Sequence, residues 1–335
     1  MSNTQRPDPA PAGPAPTGPR LTRGTILKLF ITFAVSAYVL WYAGLGDALG
    51  TLITADWKFV GLAGISAVVA MVMNVYRWKL MLHGQEADFS LLSLIRLYLV
   101  GMFFNNVLPG RFGGDVVRAY AASLGATTRT RSAAAVLMDR LVGAISVLIL
   151  GVMAVVLNPS VIPAELSRLV VLGCGAAVLV LGVLLARGSL MSRARHRLSA
   201  VVDTSAGRLS LGGRLEAAIQ AVRSYSRQYG LVSRALAISM VANGLSIVNL
   251  QLYSVAVGAD ISLGQVAVVA PAILAVGLLP LSVNGLGTIE AAFVVLFGAM
   301  DVDAHVALAV AILRRFVLLV LSLAGGVLYA TRRLA

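Results

Sequence analysis

Residues Asn105–Tyr120 read NNVLPGRFGGDVVRAY and follow a stretch almost without charge. One proline, three glycines, two arginines and an aspartate sit together. In a soluble chain this would be a surface turn. The rest of the sequence excludes that setting. Of 335 residues, 59% are hydrophobic and 12% charged, and the mean hydropathy is +0.88. Soluble domains carry about a quarter charged residues. Several apolar runs approach ~20 residues, the length that crosses ~30 Å of hydrocarbon in a helix. The chain therefore reads as an all-α polytopic membrane protein, and the turn must be explained inside or against a bilayer.

The net charge of +13, from 27 Lys+Arg against 14 Asp+Glu, follows from basic cytoplasmic loops and needs no nucleic-acid partner. The single cysteine, Cys174, and three scattered histidines, His83, His196 and His305, give no disulfide framework and no metal-ligand spacing. No cofactor is expected. Residues 1–24 are Pro/Ala-rich and predict a disordered cytoplasmic tail; they lack the short basic start and apolar core of a signal peptide. Residues 25–335 form the membrane domain.

Apolar spans are predicted at 25–45, 58–80, 132–157, 166–186, 232–257 and 304–331, with apolar segments at 90–108, 112–124, 262–283 and 286–300. The stretch DALGTLITADW, ending at Trp57, reads as interfacial, and YRWKL, from Tyr76, as an aromatic and basic interface anchor. Residues 187–231 read as a basic amphipathic cytoplasmic insertion, with eight arginines between Arg187 and Gly230; a solvated loop is the alternative. The basic ends orient both termini to the cytoplasm of a multi-pass protein in the cell inner (plasma) membrane. This count puts the chain inside near residue 85 and inside again near Arg129. Residues 90–124 must then enter and leave on one side, as a re-entrant hairpin with the opening motif at its tip. Residues 262–300 do the same from the outside.

The second hairpin has its own polar tip, LLPLSVNGLGTIE, ending at Glu290. Both tips run from Leu-Pro through glycines to an acid. Asp115 precedes Arg140 by the same interval as Glu290 precedes Arg315. A shift of 175 residues (290 less 115) superposes both pairs, brings 58–80 onto 233–255, and carries Asn74 onto Asn249. The pattern predicts two inverted repeats, a construction common among transporters; chance likeness of two Gly/Pro turns is the rival.

Within hydrocarbon each unsatisfied backbone group costs several kcal/mol, so such breaks belong where they face protein or a wet cavity. A half-helix that starts after the break aims its amides and positive dipole end at the tip, where an anion fits. The candidate substrate-binding residues are Arg111, Asp115, Arg118, Asp139, Arg140, Asn284, Glu290, Arg314 and Arg315, with Asn105 and Asn106 as caps for the first hairpin. The competing role for the three acids is to neutralise the arginines and pin the hairpins. No Walker A loop, GxGxxG turn or Ser-His-acid set is present, so no catalytic residue is assigned.

At NNVLPGRFGGDVVRAY, DRLVG and LPLSVNGLGTIEAAF, together with an arginine in the last span, the chain resembles the lysylphosphatidylglycerol synthase transmembrane-region family, also called flippase-like domain proteins. The resemblance covers about residues 25–331. It implies movement of a phospholipid or lipid-linked molecule between leaflets. Bifunctional members add a soluble aminoacyl-transferase domain. This sequence ends at Ala335 without one, so the expectation is a translocator that does not make its lipid, with lysylphosphatidylglycerol in doubt as cargo. Expected partners are membrane lipids with an anionic headgroup, and a homo-oligomer or a lipid-synthesis enzyme. The alternatives are a membrane-embedded lipid or polyprenyl-glycan transferase, or its non-catalytic membrane subunit.

Overall fold

The structure, a computed structural model, describes residues 23–107, 113–124, 127–161, 168, 172, 225, 228–278 and 281–331. Residues 1–22 of the expected tail, nearly all of the span at 166–186 and of the insertion at 187–231, and Arg111 at the first tip lie outside these residues, while Arg23 and Gly24, expected in the tail, begin the first helix. The described residues form helices and turns without a strand.

The helices are α1 (Arg23–Tyr42), α2 (Leu45–Ile53), α3 (Trp57–His83), α4 (Leu91–Val107), α5 (Gly113–Ser123), α6 (Arg129–Leu157), α7 (Tyr229–Ala256), α8 (Leu263–Leu278), α9 (Thr288–Gly298) and α10 (Ala304–Ala330). A short 3-10 turn, Val283–Gly285, precedes α9. Four helices, α3, α6, α7 and α10, are long and apolar enough to cross a membrane. The expected first span and interfacial stretch become α1 and α2, bent by 70° at Gly44. Only 17% of the apolar window of α3 and of α7 is buried. Their apolar side chains at Leu62, Ile65 and Val241 are exposed, as are Phe33 and Trp41 of α1, at 78% each, a surface suited to lipid.

Local sequence explains the helix starts. Asp56 caps α3 by accepting from the Lys58 amide at 2.9 Å, and Thr128 caps α6 through the Arg131 amide at 3.4 Å. Glu290 reaches back from the first turn of α9 to the Gly287 amide, 2.8 Å away.

A succession of four helices, long, intermediate, short and long, occurs twice: α3–α6 and α7–α10. Shifted by 175, α5 falls residue for residue on α9. Several of the main packing pairs correspond when the two sets are exchanged. The two first helices, α3 and α7, pack on each other, α4 packs on α10, and α8 packs on α6. Each short helix packs on the helix before and after it.

Lipid tails are as apolar as leucine, so helix association in a bilayer depends on close packing and polar links rather than on the hydrophobic effect. Small residues provide the closeness here. A Cβ on Gly325 of α10 would sit 2.0 Å from the Leu99 carbonyl oxygen of α4, and one on Gly114 would sit 2.1 Å from the Gly101 carbonyl oxygen. Gly114 thus lets α5 fold back along α4 as a hairpin. Polar links complete the core: Asn243 of α7 donates to Ser146 of α6 at 2.6 Å, and Asn249 of α7 donates to the Ala63 carbonyl of α3 at 2.6 Å.

Candidate functional site

Asp115 sits in the first turn of α5 and Arg140 near the middle of α6. The Arg140 Nε donates to Asp115 Oδ2 at 2.8 Å. Glu290 occupies the same place in α9, and the Arg315 Nε of α10 lies 2.5 Å from Glu290 Oε1. The 25-residue interval is thus a hairpin-to-span ion pair in both halves. Arg315 also donates to the Gly285 carbonyl of the second tip at 3.4 Å.

The first pair belongs to a larger network. Arg118 reaches Asp115 Oδ1 at 3.4 Å and Asp139 Oδ2 at 3.3 Å. Arg77 of α3 holds Asp139 Oδ1 at 2.6 Å and donates to Ser239 Oγ of α7 at 2.8 Å. The Arg118 guanidinium lies 4.1 Å from the Trp78 ring centroid and 4.6 Å from that of Tyr98, within cation–π range. Asp139 and Arg118 are 2% and 5% exposed. Such a network holds the fold: removing one partner of a buried ion pair typically costs ~3–5 kcal/mol because it strands the other charge.

Arg77 is a correction. The sequence reading placed it with Trp78 in an interfacial anchor, but it is 7% exposed and Trp78 is fully buried. The last turns of α3 are covered by α6 and α7, and Asp139, 62 residues on in the sequence, accepts its charge. Nothing in the local sequence of α3 announces that partner.

The two hairpin tips meet. Asn105 caps α5 by accepting from the Gly114 amide at 2.8 Å. Asn106 donates to Ser322 of α10 at 2.8 Å and accepts from Asn284 of the second tip. Asn284 has a left-handed backbone, φ 49°, which asparagine tolerates better than most residues.

Arg314 stands apart from the other arginines. It makes no hydrogen bond or ion pair to the described residues, and it lines two cavities that share Met102, Arg314 and Leu318. One, of about 160 Å³, opens between α3, α4, α7, α8 and α10 and is faced by Asn74, Tyr98, Ser246, Asn249 and Tyr253. The other, of about 180 Å³, lies at the tips beside Asn105, Asn106, Asn284 and Arg315. At ~10–15 Å³ per water position, each has room for a hydrated phosphate group. Asn74 and Asn249, superposed by the shift of 175, face the same cavity.

Of the nine expected site residues, Asn284, Arg314 and Arg315 line cavities. Glu290 is bonded to Arg315, while Asp115, Arg118, Asp139 and Arg140 form the ion network. Sequence reasoning missed Arg77, Tyr98 and Tyr253. Tyr98 touches both regions, with one face toward Arg118 and an edge in the first cavity. Among the described residues no cluster of His, Cys, Asp and Glu could hold a metal.

The family model described as lysylphosphatidylglycerol synthase TM region matches residues 27–326. The UPF0104 membrane protein PH1989 of Pyrococcus horikoshii is 25% identical over 329 residues, covering 92% of this chain and 97% of that protein. A UPF0104 membrane protein of Methanothermobacter thermautotrophicus is 25% identical over 310 residues, covering 88% and 91%. The UPF0104 membrane protein MJ1595 of Methanocaldococcus jannaschii is 35% identical over 107 residues, 31% of each chain. The matched span takes in both four-helix sets, both tips and Arg314. This multi-pass membrane protein belongs to the lysylphosphatidylglycerol synthase TM region family.

Proposed function

We propose that the protein moves a phospholipid or lipid-linked molecule between leaflets through the cavities at Arg314. In this reading the two four-helix sets are inverted repeats, the α4–α5 and α8–α9 hairpins are re-entrant, both termini are cytoplasmic in the cell membrane, and the chain performs no covalent chemistry. The observation that carries it is Arg314: a cation that forms no ion pair with the described residues, inside apolar helices, at the junction of two cavities. An arginine near a helix centre costs ~2.5–3.5 kcal/mol on insertion scales. Holding one there beside empty space calls for an anionic guest. The broken helices facing the cavity and the corresponding packing pairs support an alternating-access device, in which one set rocks against the other around a fixed site. The Asn106–Asn284 contact between the tips is then the closed gate.

The test is leaflet exchange of a fluorescent phospholipid in proteoliposomes. Wild type should accelerate exchange over protein-free vesicles, and Arg314→Ala should return it to the protein-free rate. Equal acceleration by the variant would remove Arg314 from the path and this reading with it.

A further inference from the structure

Resting on that reading, we propose that the Arg314 cavities select a phosphate diester of single negative charge whose substituent is neutral and hydroxylated, and that they refuse headgroups bearing an ammonium. Charge at the site sets the first condition. Among the described residues Arg314 and Arg315 face one acid, Glu290, which is paired with Arg315 and leaves one positive charge in excess at Arg314. A phosphate diester supplies one negative charge and two equivalent oxygens for a planar guanidinium fork.

The carboxylates set the second condition. Asp115 gives Oδ1 to Arg118 and Oδ2 to Arg140. Asp139 gives Oδ1 to Arg77 and Oδ2 to Arg118. Glu290 gives Oε1 to Arg315 and Oε2 to the Gly287 amide. Each oxygen of these three acids already accepts a donor, and each acid is paired with at least one arginine, so none of the three is an unpaired counter-charge. A lysyl, choline or ethanolamine ammonium entering here would meet Arg314 and no free counter-charge, and a buried charge without a partner is strongly disfavoured.

Neutral groups remain for the rest of the headgroup. Asn74 uses its amide N–H on the Ala70 carbonyl at 2.9 Å, which leaves its side-chain oxygen as an acceptor beside the first cavity. Asn105 uses its side-chain oxygen on Gly114, which leaves amide N–H groups beside the second. Acceptor and donor amides on either side of Arg314 suit hydroxyl groups.

Full-length protein in mild detergent is titrated with phosphatidylglycerol, its lysyl ester, phosphatidylcholine and inorganic phosphate, with binding followed by native mass spectrometry and by shift in melting temperature. We expect phosphatidylglycerol to bind at least about tenfold more tightly than the lysyl ester or phosphatidylcholine. Arg314→Gln should abolish that preference and Arg314→Lys should restore part of it, since lysine keeps the charge without the fork. A lysyl ester bound as well as its parent lipid overturns the inference on wild-type protein alone, whatever the variants do. Protection by inorganic phosphate equal to that by phosphatidylglycerol overturns the lipid as source and leaves an anion site. Binding does not require leaflet exchange, so selective binding without faster exchange would sink translocation alone.

Discussion

The two halves of the molecule hold the same ion pair and use their remaining charge in opposite ways. The 175-residue shift that carries Asp115–Arg140 onto Glu290–Arg315 also carries Asp139 onto Arg314, Arg77 onto Leu252 and Arg118 onto Phe293. In the first half three arginines and two aspartates interlock, buried against Trp78 and Tyr98. In the second half the acid is replaced by Arg314, and its two basic partners by a leucine and a phenylalanine. The skeleton is kept while one cation, Arg314, makes no ion pair with the described residues and faces a cavity. Each of these two charge clusters has one more arginine than acid, yet only in the second does the excess charge face a cavity. The shared pair pins a hairpin to a span; the position beside it decides between structure and binding.

The largest effect should come from breaking the first network. Asp139→Ala strands Arg77 and leaves Arg118 only its 3.4 Å contact to Asp115, at a cost of about 3–5 kcal/mol, which takes up much of a typical stability of ~5–15 kcal/mol. The expected result is a large drop in melting temperature and in the yield of monodisperse protein. An unshifted melt would show that the first half's charges are not structural.

Gly114→Ala probes the hairpins. Its counterpart under the shift is Ile289, which borders the cavity at the tips, so the glycine-tight closure of α5 on α4 has no equivalent in α9. Overpacking typically costs about 1–3 kcal/mol, and a melt lowered accordingly is expected. A neutral outcome would mean that the two hairpins are equally loose.

Glu290→Gln sharpens the contrast further. The amide oxygen still reaches the Gly287 amide, but Arg315 loses its counter-charge; a hydrogen bond to a charged group is worth ~1.5–3 kcal/mol. A modest fall in stability should accompany increased retention of anionic lipid during purification, because two cations then face the cavity. Unchanged retention would indicate that Arg315 never reaches the guest.

The smallest effect belongs to the surface. Arg131 and Glu86 pair at 2.8 Å with side chains 51% and 80% exposed, and such pairs contribute ~0–1 kcal/mol. Glu86→Gln should leave melting and binding unchanged, which makes it the control for the buried variants.

Much of this was legible in the sequence, because it rests on spacing. The all-helical membrane class, the four long spans, the hairpin after Asn105, the matching 25-residue intervals from acid to arginine and the Asn74–Asn249 correspondence all follow from intervals along the chain. What spacing cannot give is the side of a helix. Arg314 and Arg315 are adjacent in sequence but point about 100° apart around a helix of 3.6 residues per turn, so one meets Glu290 and the other a cavity. Arg77 has the flanking residues of an interface anchor, and only the packing of α6 and α7 over it makes it a core residue. The Asn106–Asn284 contact joins two tips distant in sequence, and no local pattern predicts it.

Arg314 thus serves a guest, while Arg140, which neighbours Asp139, the first-half counterpart of Arg314, serves the fold. The most direct test measures melting temperature and co-purifying anionic lipid side by side for Arg140→Ala and Arg314→Ala. A lower melting temperature with lipid retained is expected for Arg140→Ala, which takes away the closer partner of Asp115 and leaves it only the 3.4 Å contact to Arg118. For Arg314→Ala an unchanged or higher melting temperature is expected, with the lipid lost. Destabilisation by Arg314→Ala with its lipid intact would contradict this division of roles.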